Sequence, residues 1–282
     1  VSPYRQLYPI YELTDADLET LDLTDGDVAD WREVVGGPTL QGSRDFYGET
    51  GWDSGMVVEP YDSSDGDWQI WLAWSRHGKL YLAIERTDDD YVNTYVGGDL
   101  SRVWENDCLE FMVDGDHSGG EYHFLPQFPS DCCASEEEYT LNNNLQAQQY
   151  WSIAQTPDGV HVGYLGAGAA WVNRPPWSWG GGGVRDGVTV TEFYVTPFDS
   201  LVYFSAEKSR PSTLRPGQII GFDVGIWEYD SDASAHVLSM YLGTVDTWRW
   251  ASHFVDGVLV SGKGTTSALT DLSWGRIKAS SR

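Results

Sequence analysis

A flat indole beside a carboxylate is the most informative chemistry in this chain. Trp104 and Glu110 stand six residues apart in the run Val103-Trp104-Glu105-Asn106-Asp107-Cys108-Leu109-Glu110-Phe111-Met112-Val113-Asp114. The run reads as a β-strand in which Leu109, Phe111 and Val113 form one apolar face while Cys108, Glu110 and Met112 point the other way. If the strand extends back to Trp104, the even spacing puts ring and carboxylate on one face. Such a pair suits a pyranose, which has an apolar face to lie on the ring and hydroxyls to donate to the carboxylate. A core tryptophan beside a solvated glutamate is the competing reading of the same residues.

The elements that must hold this pair are strands. The chain has 282 residues with 31 Gly, 14% aromatic residues and only four Lys. Short alternating runs separated by Gly, Asp and Pro predict an all-β fold, an antiparallel β-sandwich with long loops and at most short helices. Asp67–Trp74 and Lys79–Glu85 predict a hairpin around Arg76-His77-Gly78. Further strands are expected at 121–124, 150–155, 160–165, 188–195, 219–228, 237–243 and 274–278, with a short helix over 196–201. Residues 125–148 read as an insertion loop. Neither a repeat nor a linker is evident, so the expected organisation is an N-terminal arm, 1–20, and a single domain, 21–282. The arm carries Tyr4, Leu7, Tyr8, Ile10, Tyr11 and Leu13. It can fold back on its own sandwich or dock on another copy.

Charge excludes several partners. A formal net charge of −26 repels phosphate backbones and anionic headgroups. Nucleic acid is therefore not expected as a partner. No apolar stretch approaches the length of a membrane-spanning helix, so membrane insertion is not expected either. Abundant Asp with few Lys fits a salty or calcium-rich extracellular setting, and a first residue of Val fits a processed secreted protein. The three cysteines cannot all pair. Cys108 bridged to the 132–133 loop, or a vicinal Cys132–Cys133 bridge, would each leave one thiol over. Gly180 to Gly183 is not a phosphate loop, because no Lys-Ser/Thr follows. His117, Glu121 and His123 match no standard metal spacing. With no recognisable nucleophile motif, an enzyme is not expected.

In order along the chain, these segments resemble the family 9 carbohydrate-binding modules. The resemblance rests on Asp25-Gly26-Asp27…Asp30-Trp31, the Lys79–Glu85 strand with Asp88-Asp89-Asp90, and Trp104 to Phe111. It continues with Gly221-Phe222-Asp223-Val224 leading to Asp230-Ser231-Asp232, and with Trp274-Gly275-Arg276-Ile277. It spans roughly residues 20–280. It implies a sugar held between two tryptophans, with Trp104 as the first and Trp248 or Trp250 as the second, and Glu110 on the hydroxyls. Family members also use polar and Arg side chains on the strand after the glutamate. Here that stretch has no Arg, and Gln127 is the polar residue available. The resemblance further implies structural Ca²⁺, for which Asp25, Asp27, Asp230 and Asp232 are the candidate ligands. The functional expectation is a secreted, non-catalytic carbohydrate-binding protein with a glycan or polysaccharide as partner. The alternative is a structural subunit of an extracellular filament or surface layer, self-assembling through residues 1–13. The Trp171, Trp177 and Trp179 stretch reads as a binding lip, an aromatic plug or an interface.

Overall fold

The computed structural model describes residues 7–46, 63, 66–98, 100–122, 146–164, 167–202, 205–229, 237–242 and 246–262. Gln127, His123, Asp230, Asp232, Cys132, Cys133, residues 1–6, the bulk of the 125–148 insertion and the 274–278 strand lie outside the described residues.

The chain opens with β1 (Leu7–Glu12), followed by two short helices, α1 (Asp15–Thr20) and α2 (Ala29–Val34). Thr14 caps α1, with its side chain and that of Asp17 each accepting the other's backbone N–H. β2 (Leu40–Gln41) and α3 (Gly42–Asp45) lead to the expected hairpin, β3 (Gly66–Ser75) and β4 (Lys79–Asp88). A 3₁₀ turn over Leu100–Glu105 precedes β5 (Cys108–Asp114). Then come β6 (Gln148–Ser152), β7 (Val162–Tyr164), β8 (Ser178–Arg185) and β9 (Val188–Val195). A small hairpin, β10 (Phe198–Ser200) with β11 (Arg210–Pro211), is followed by β12 (Ile219–Tyr229), β13 (Val237–Tyr241) and β14 (Val255–Val260).

The main path of the sheet runs β7-β6-β5-β12-β14-β1-β3-β4-β9-β8, with β13 on β12 and β2 on β3. The fold is mostly β with short helices, as expected. The sheet is mixed rather than purely antiparallel, because β1 runs parallel to both β14 and β3. It is also one continuous sheet folded nearly into a barrel, not two separate leaves. Phe111 of β5 meets Phe193 of β9 across the core, ring centroids 6.4 Å apart. The core takes one face of each strand: Leu109, Phe111 and Val113 from β5, Ile70, Leu72 and Trp74 from β3, and Phe222, Val224 and Ile226 from β12. A second apolar cluster lies outside the sheet, where Trp31 and Val34 of α2 cover Trp71, Ala73 and Ala83.

Residues 7–12, read from sequence as part of an arm, form a strand of their own chain's sheet: Leu7–Tyr11 pair with β14, and Tyr11 and Glu12 pair with β3.

One local expectation fails. The stretch 196–201 is not helical: Phe198–Ser200 pairs with β11. The glycine run, assigned to no element from sequence, is the middle of β8. A Cβ on Gly181 would stand 2.8 Å from the Leu23 carbonyl oxygen, and one on Gly182 would stand 2.8 Å from that of Ala154. Backbone presses on both faces of β8, so only glycine fits. Of the nearby tryptophans, Trp171 and Trp177 pack against the core around Phe198, while Trp179 stays 44% exposed.

Candidate functional site

Strand phase determines what faces away from the core on β5. Cys108, Glu110 and Met112 follow one another there, and cross-strand pairing adds Trp227 of β12 beside Cys108 and Trp151 of β6 beside Glu110. Gln149 of β6 lies beside Met112. Glu110 is completely buried. Its carboxylate accepts the Trp227 indole N–H at 3.1 Å and an amide N–H of Gln149.

Glu110 lies between two aromatic groups. On the Cys108 side, Trp104, Trp151 and Trp227 pack together, with Trp227 in the middle at 5.8 Å from each of the other two rings. On the Met112 side, Trp248 packs against Met112, Tyr122 and Phe254. Cys108 and Met112 are four residues apart on one strand, so the two groups stand about 13 Å apart along β5.

Trp104 reaches this face by a route the sequence did not predict. It is not in the strand but in the 3₁₀ turn before it. The Tyr229 hydroxyl donates to the Trp104 carbonyl at 2.8 Å and holds the turn over β12. The ring is half-buried against Trp227.

Trp248 and Trp250 alternate and would share one face if their segment were a strand. Residues 246–249 form a turn instead, so the two rings diverge. The Tyr122 hydroxyl donates to the Thr247 carbonyl at 2.9 Å and anchors this turn. Trp250 leaves toward Glu121, with the Arg249 guanidinium 5.2 Å over its ring. Trp248 is therefore the one that shares the face of Glu110. Burial pushes the Tyr122 hydroxyl pKa well up, and the charges of Glu110 and Asp223 push it further.

Sequence reasoning missed Gln149 and Trp151. The strand that pairs with β5 after the glutamate is β6, not the 121–124 stretch, of which Glu121 makes a single bridge, to Trp250. Both residues are more than nine-tenths buried, and Gln149 Oε1 and Trp151 Nε1 have no hydrogen-bond partner among the described residues. An orphaned buried donor or acceptor costs about 1–3 kcal/mol. One acceptor and one donor are thus left over beside a buried carboxylate. A hydroxyl, which both donates and accepts, satisfies such a pair. A cleft of about 760 Å³ lies elsewhere, between Asn93, Gln155, His161 and the Gly182–Gly183 backbone.

Behind β12 lies a charged cluster. Arg86 of β4 is buried among Asp88, Asp107 and Glu228, with Nη2 at 3.2 Å from Asp107 and 3.0 Å from Glu228 and in contact with Asp88. Burial, opposed by Arg86, raises the Asp107 pKa to about 7. Cys108 is a free buried thiol, which removes the expected alternative of a bridge from it to the 132–133 loop. Burial, then the charges of Glu110 and Asp107, push its pKa well up, so it is not a reactive thiolate.

Asp25 and Asp27 turn their oxygens to their own chain. Asp25 accepts the Asp27 N–H at 2.9 Å, and Asp27 accepts the Ala29 N–H at 2.9 Å and faces Arg185 at 3.4 Å. This is an Asx-turn geometry, and the charges of Asp30 and Glu192 lie close enough to interact with Asp25. Among the described residues, three carboxylates converge within 4.8 Å at Asp88, Asp107 and Glu228, where Arg86 already supplies the positive charge.

The sequence matches no protein-family model and no curated protein. Solved structures do match. A family 9 carbohydrate-binding module from Caldicellulosiruptor kristjanssonii in complex with glucose is similar over 92% of this chain and 98% of its own, with 13% identity and a TM-score of 0.53. The complex of a family 9 module from the same organism with cellotriose is similar over 93% of this chain and 97% of its own, with 13% identity and a TM-score of 0.52. The element order, the folded mixed sheet and the near-complete coverage agree: this chain has the fold of a family 9 carbohydrate-binding module.

Proposed function

We propose that the protein is a secreted, non-catalytic carbohydrate-binding protein that takes a sugar on the β5–β6–β12 face. The observation that carries this reading is the pair of orphaned atoms, Gln149 Oε1 and Trp151 Nε1, on the strand beside Glu110, which lies between two aromatic groups. Trp104 and Trp248 supply apolar plates, and burial of the sugar's CH face against them provides most of the affinity. Glu110 accepts from hydroxyls, while Gln149 and Trp151 complete the polar set and give selectivity. Gln127 belongs to the same proposal, as a further polar contact. Nothing in this machinery asks for a nucleophile or a proton shuttle, which fits binding without turnover. The glucose and cellotriose held by the fold's relatives make β-linked glucose oligomers the first ligands to try.

Structural Ca²⁺ at Asp25, Asp27, Asp230 and Asp232 is a separate proposal. It rests on the resemblance and not on the turn geometry at Asp25 and Asp27.

Isothermal titration against glucose, cellotriose and a panel of other soluble oligosaccharides tests the reading, with Trp104→Ala alongside. Saturable heat with at least one sugar, lost in the variant, is the expected result. Absence of heat with every sugar, or unchanged binding in the variant, overturns it.

A further inference from the structure

We infer that Arg86 is a positioning residue of the sugar site, holding Trp104 and Trp227 in place from the opposite side of β12. The inference rests on the sugar-binding reading of that face.

The wiring is short. Arg86 Nη1 donates to the Trp227 carbonyl at 2.9 Å. Trp227 in turn donates its indole N–H to Glu110 and packs between Trp104 and Trp151. The second route runs through Asp107, which Arg86 faces at 3.2 Å. Asp107 Oδ1 accepts the Tyr229 N–H at 2.7 Å, and its Oδ2 accepts the Val92 N–H. The Tyr229 hydroxyl reaches the Trp104 carbonyl. Glu228, the third residue of the same β12 segment, is also paired with Arg86, at 3.0 Å. One guanidinium thus fixes 227, 228 and 229 and, through them, the turn that carries Trp104.

Alternation explains the arrangement. Arg86 continues the core-facing series Leu80, Leu82 and Ile84 of β4, and Glu228 continues Val224 and Ile226 of β12. The charged cluster therefore caps one end of the core, and Trp227, one residue away, faces the other side. The backbone of β12 is the wall between them. The Arg86, Asp88, Asp107 and Glu228 side chains are each 4% exposed or less, so the carboxylates cannot rely on water. Three buried carboxylates repel one another unless a cation stands among them. All three carboxylates face the Nη2 nitrogen as charge contacts while Nη1 donates to the Trp227 carbonyl, and a guanidinium offers both nitrogens at once with a permanent charge. Lysine keeps the charge and loses the fork.

The test compares Arg86→Lys with the wild type and with Glu192→Ala, a variant that destabilises the opposite half of the sheet. Sugar affinity, melting temperature and the near-ultraviolet circular dichroism of the tryptophan cluster are read together. Arg86→Lys should bind the sugar at least tenfold more weakly and lose the dichroic signal of the coupled indoles. Glu192→Ala should melt earlier and keep both wild-type affinity and the signal. Tyr229→Phe, which cuts the route from Arg86 through Asp107 at the Trp104 carbonyl, serves if Arg86→Lys does not fold, with the same expected loss. Wild-type affinity and dichroism in the folded variants overturn the inference. An affinity loss no larger than that of Glu192→Ala also overturns it, because it would reflect instability alone. Failure of the wild type to bind any sugar overturns the functional reading instead, and the dichroism still decides whether Arg86 orders the tryptophans.

Discussion

Glu110 and Glu192 are the same solution placed in two halves of the sheet, and the difference between them separates a site from a clamp. Both are completely buried strand glutamates, and each accepts a tryptophan indole N–H, Glu110 from Trp227 and Glu192 from Trp31 at 2.8 Å. Glu192 completes its set with the Gly26 backbone N–H at 3.1 Å. Backbone closes over it: the Leu23–Gly26 turn lies on the glycines of β8, and α2 seals the outside. Glu110 takes its second bond from Gln149, whose own carbonyl oxygen is left over, as is the Trp151 N–H beside it. One carboxylate ties two pieces of chain together. The other sits in a set with unmet hydrogen-bonding capacity, which is what a ligand can fill.

Variants can break this comparison. The largest effect is expected from Trp104→Ala, which should cost about 3 kcal/mol of sugar binding, as for a buried aromatic anchor, read by titration. Truncating the two glutamates in parallel should split the phenotypes. Glu192→Ala leaves the Trp31 and Gly26 N–H groups unpaired and should cost about 3 kcal/mol of stability in a denaturant melt without changing sugar affinity. Glu110→Ala should weaken sugar binding by about 2 kcal/mol. Equal effects of the two on affinity would erase the distinction between site and clamp.

The pH dependence sharpens it further. Burial first, then the charges of Asp25 and Asp30, raise Glu192 from the ordinary 4.5 to about 8, against the hydrogen bonds from Trp31 and Gly26. Asp107 is raised from 3.8 to about 7. In both cases the folded state holds the proton more tightly. Their contribution is therefore fully present below the unfolded values and is lost as pH rises through the folded ones. Stability should fall between about pH 4 and 8, by at most about 1.4 kcal/mol per pH unit for each group. Glu192→Gln, which mimics the protonated acid, should flatten its share of the slope. A profile unchanged in this variant would mean that Glu192 titrates normally. The smallest expected effect concerns calcium. If Asp25, Asp27, Asp230 and Asp232 hold Ca²⁺, chelator should lower the melting temperature by a few degrees, because the ion binds only the folded state. An unchanged melt would remove calcium from the account.

What was legible in the sequence followed from alternation. The β3–β4 hairpin, β5, β9 and β12 are strongly patterned and were found, and for β5 the two faces were assigned as well, so Glu110 was placed on the non-core face from sequence alone. Trp104 was placed beside it for the wrong reason, since a strand phase cannot be carried across a 3₁₀ turn. Gln149 and Trp151 were missed because their position depends on which later segment pairs with β5, and a long insertion separates the two in sequence. The Gln148 to Ser152 run, two glutamines followed by two aromatics and a serine, has no clean alternation to assign its faces and does not carry the identity of its partner. The glycine strand was invisible for a different reason. Glycine has poor strand propensity, and what selects it at 181 and 182 is the pressure of Leu23 and Ala154, residues far away in the chain. The parallel pairing of β1 with β14 is likewise a contact between residues about 250 positions apart, which local patterning does not report.

That last pairing has a consequence for how the chain is made. β1 is the strip that joins β14, and with it the β5–β12 half of the sheet, to β3 and its half. It is synthesised long before β14, so one of its two edges has no partner until Val255–Val260 has followed. While the intervening residues are made, β1 must wait with that edge unpaired, and the two halves that flank it cannot be joined. Arrival of β14, rather than collapse of the first hairpin, is then the event that closes the sheet. A nascent chain stalled shortly before that point would carry both halves and no seam between them.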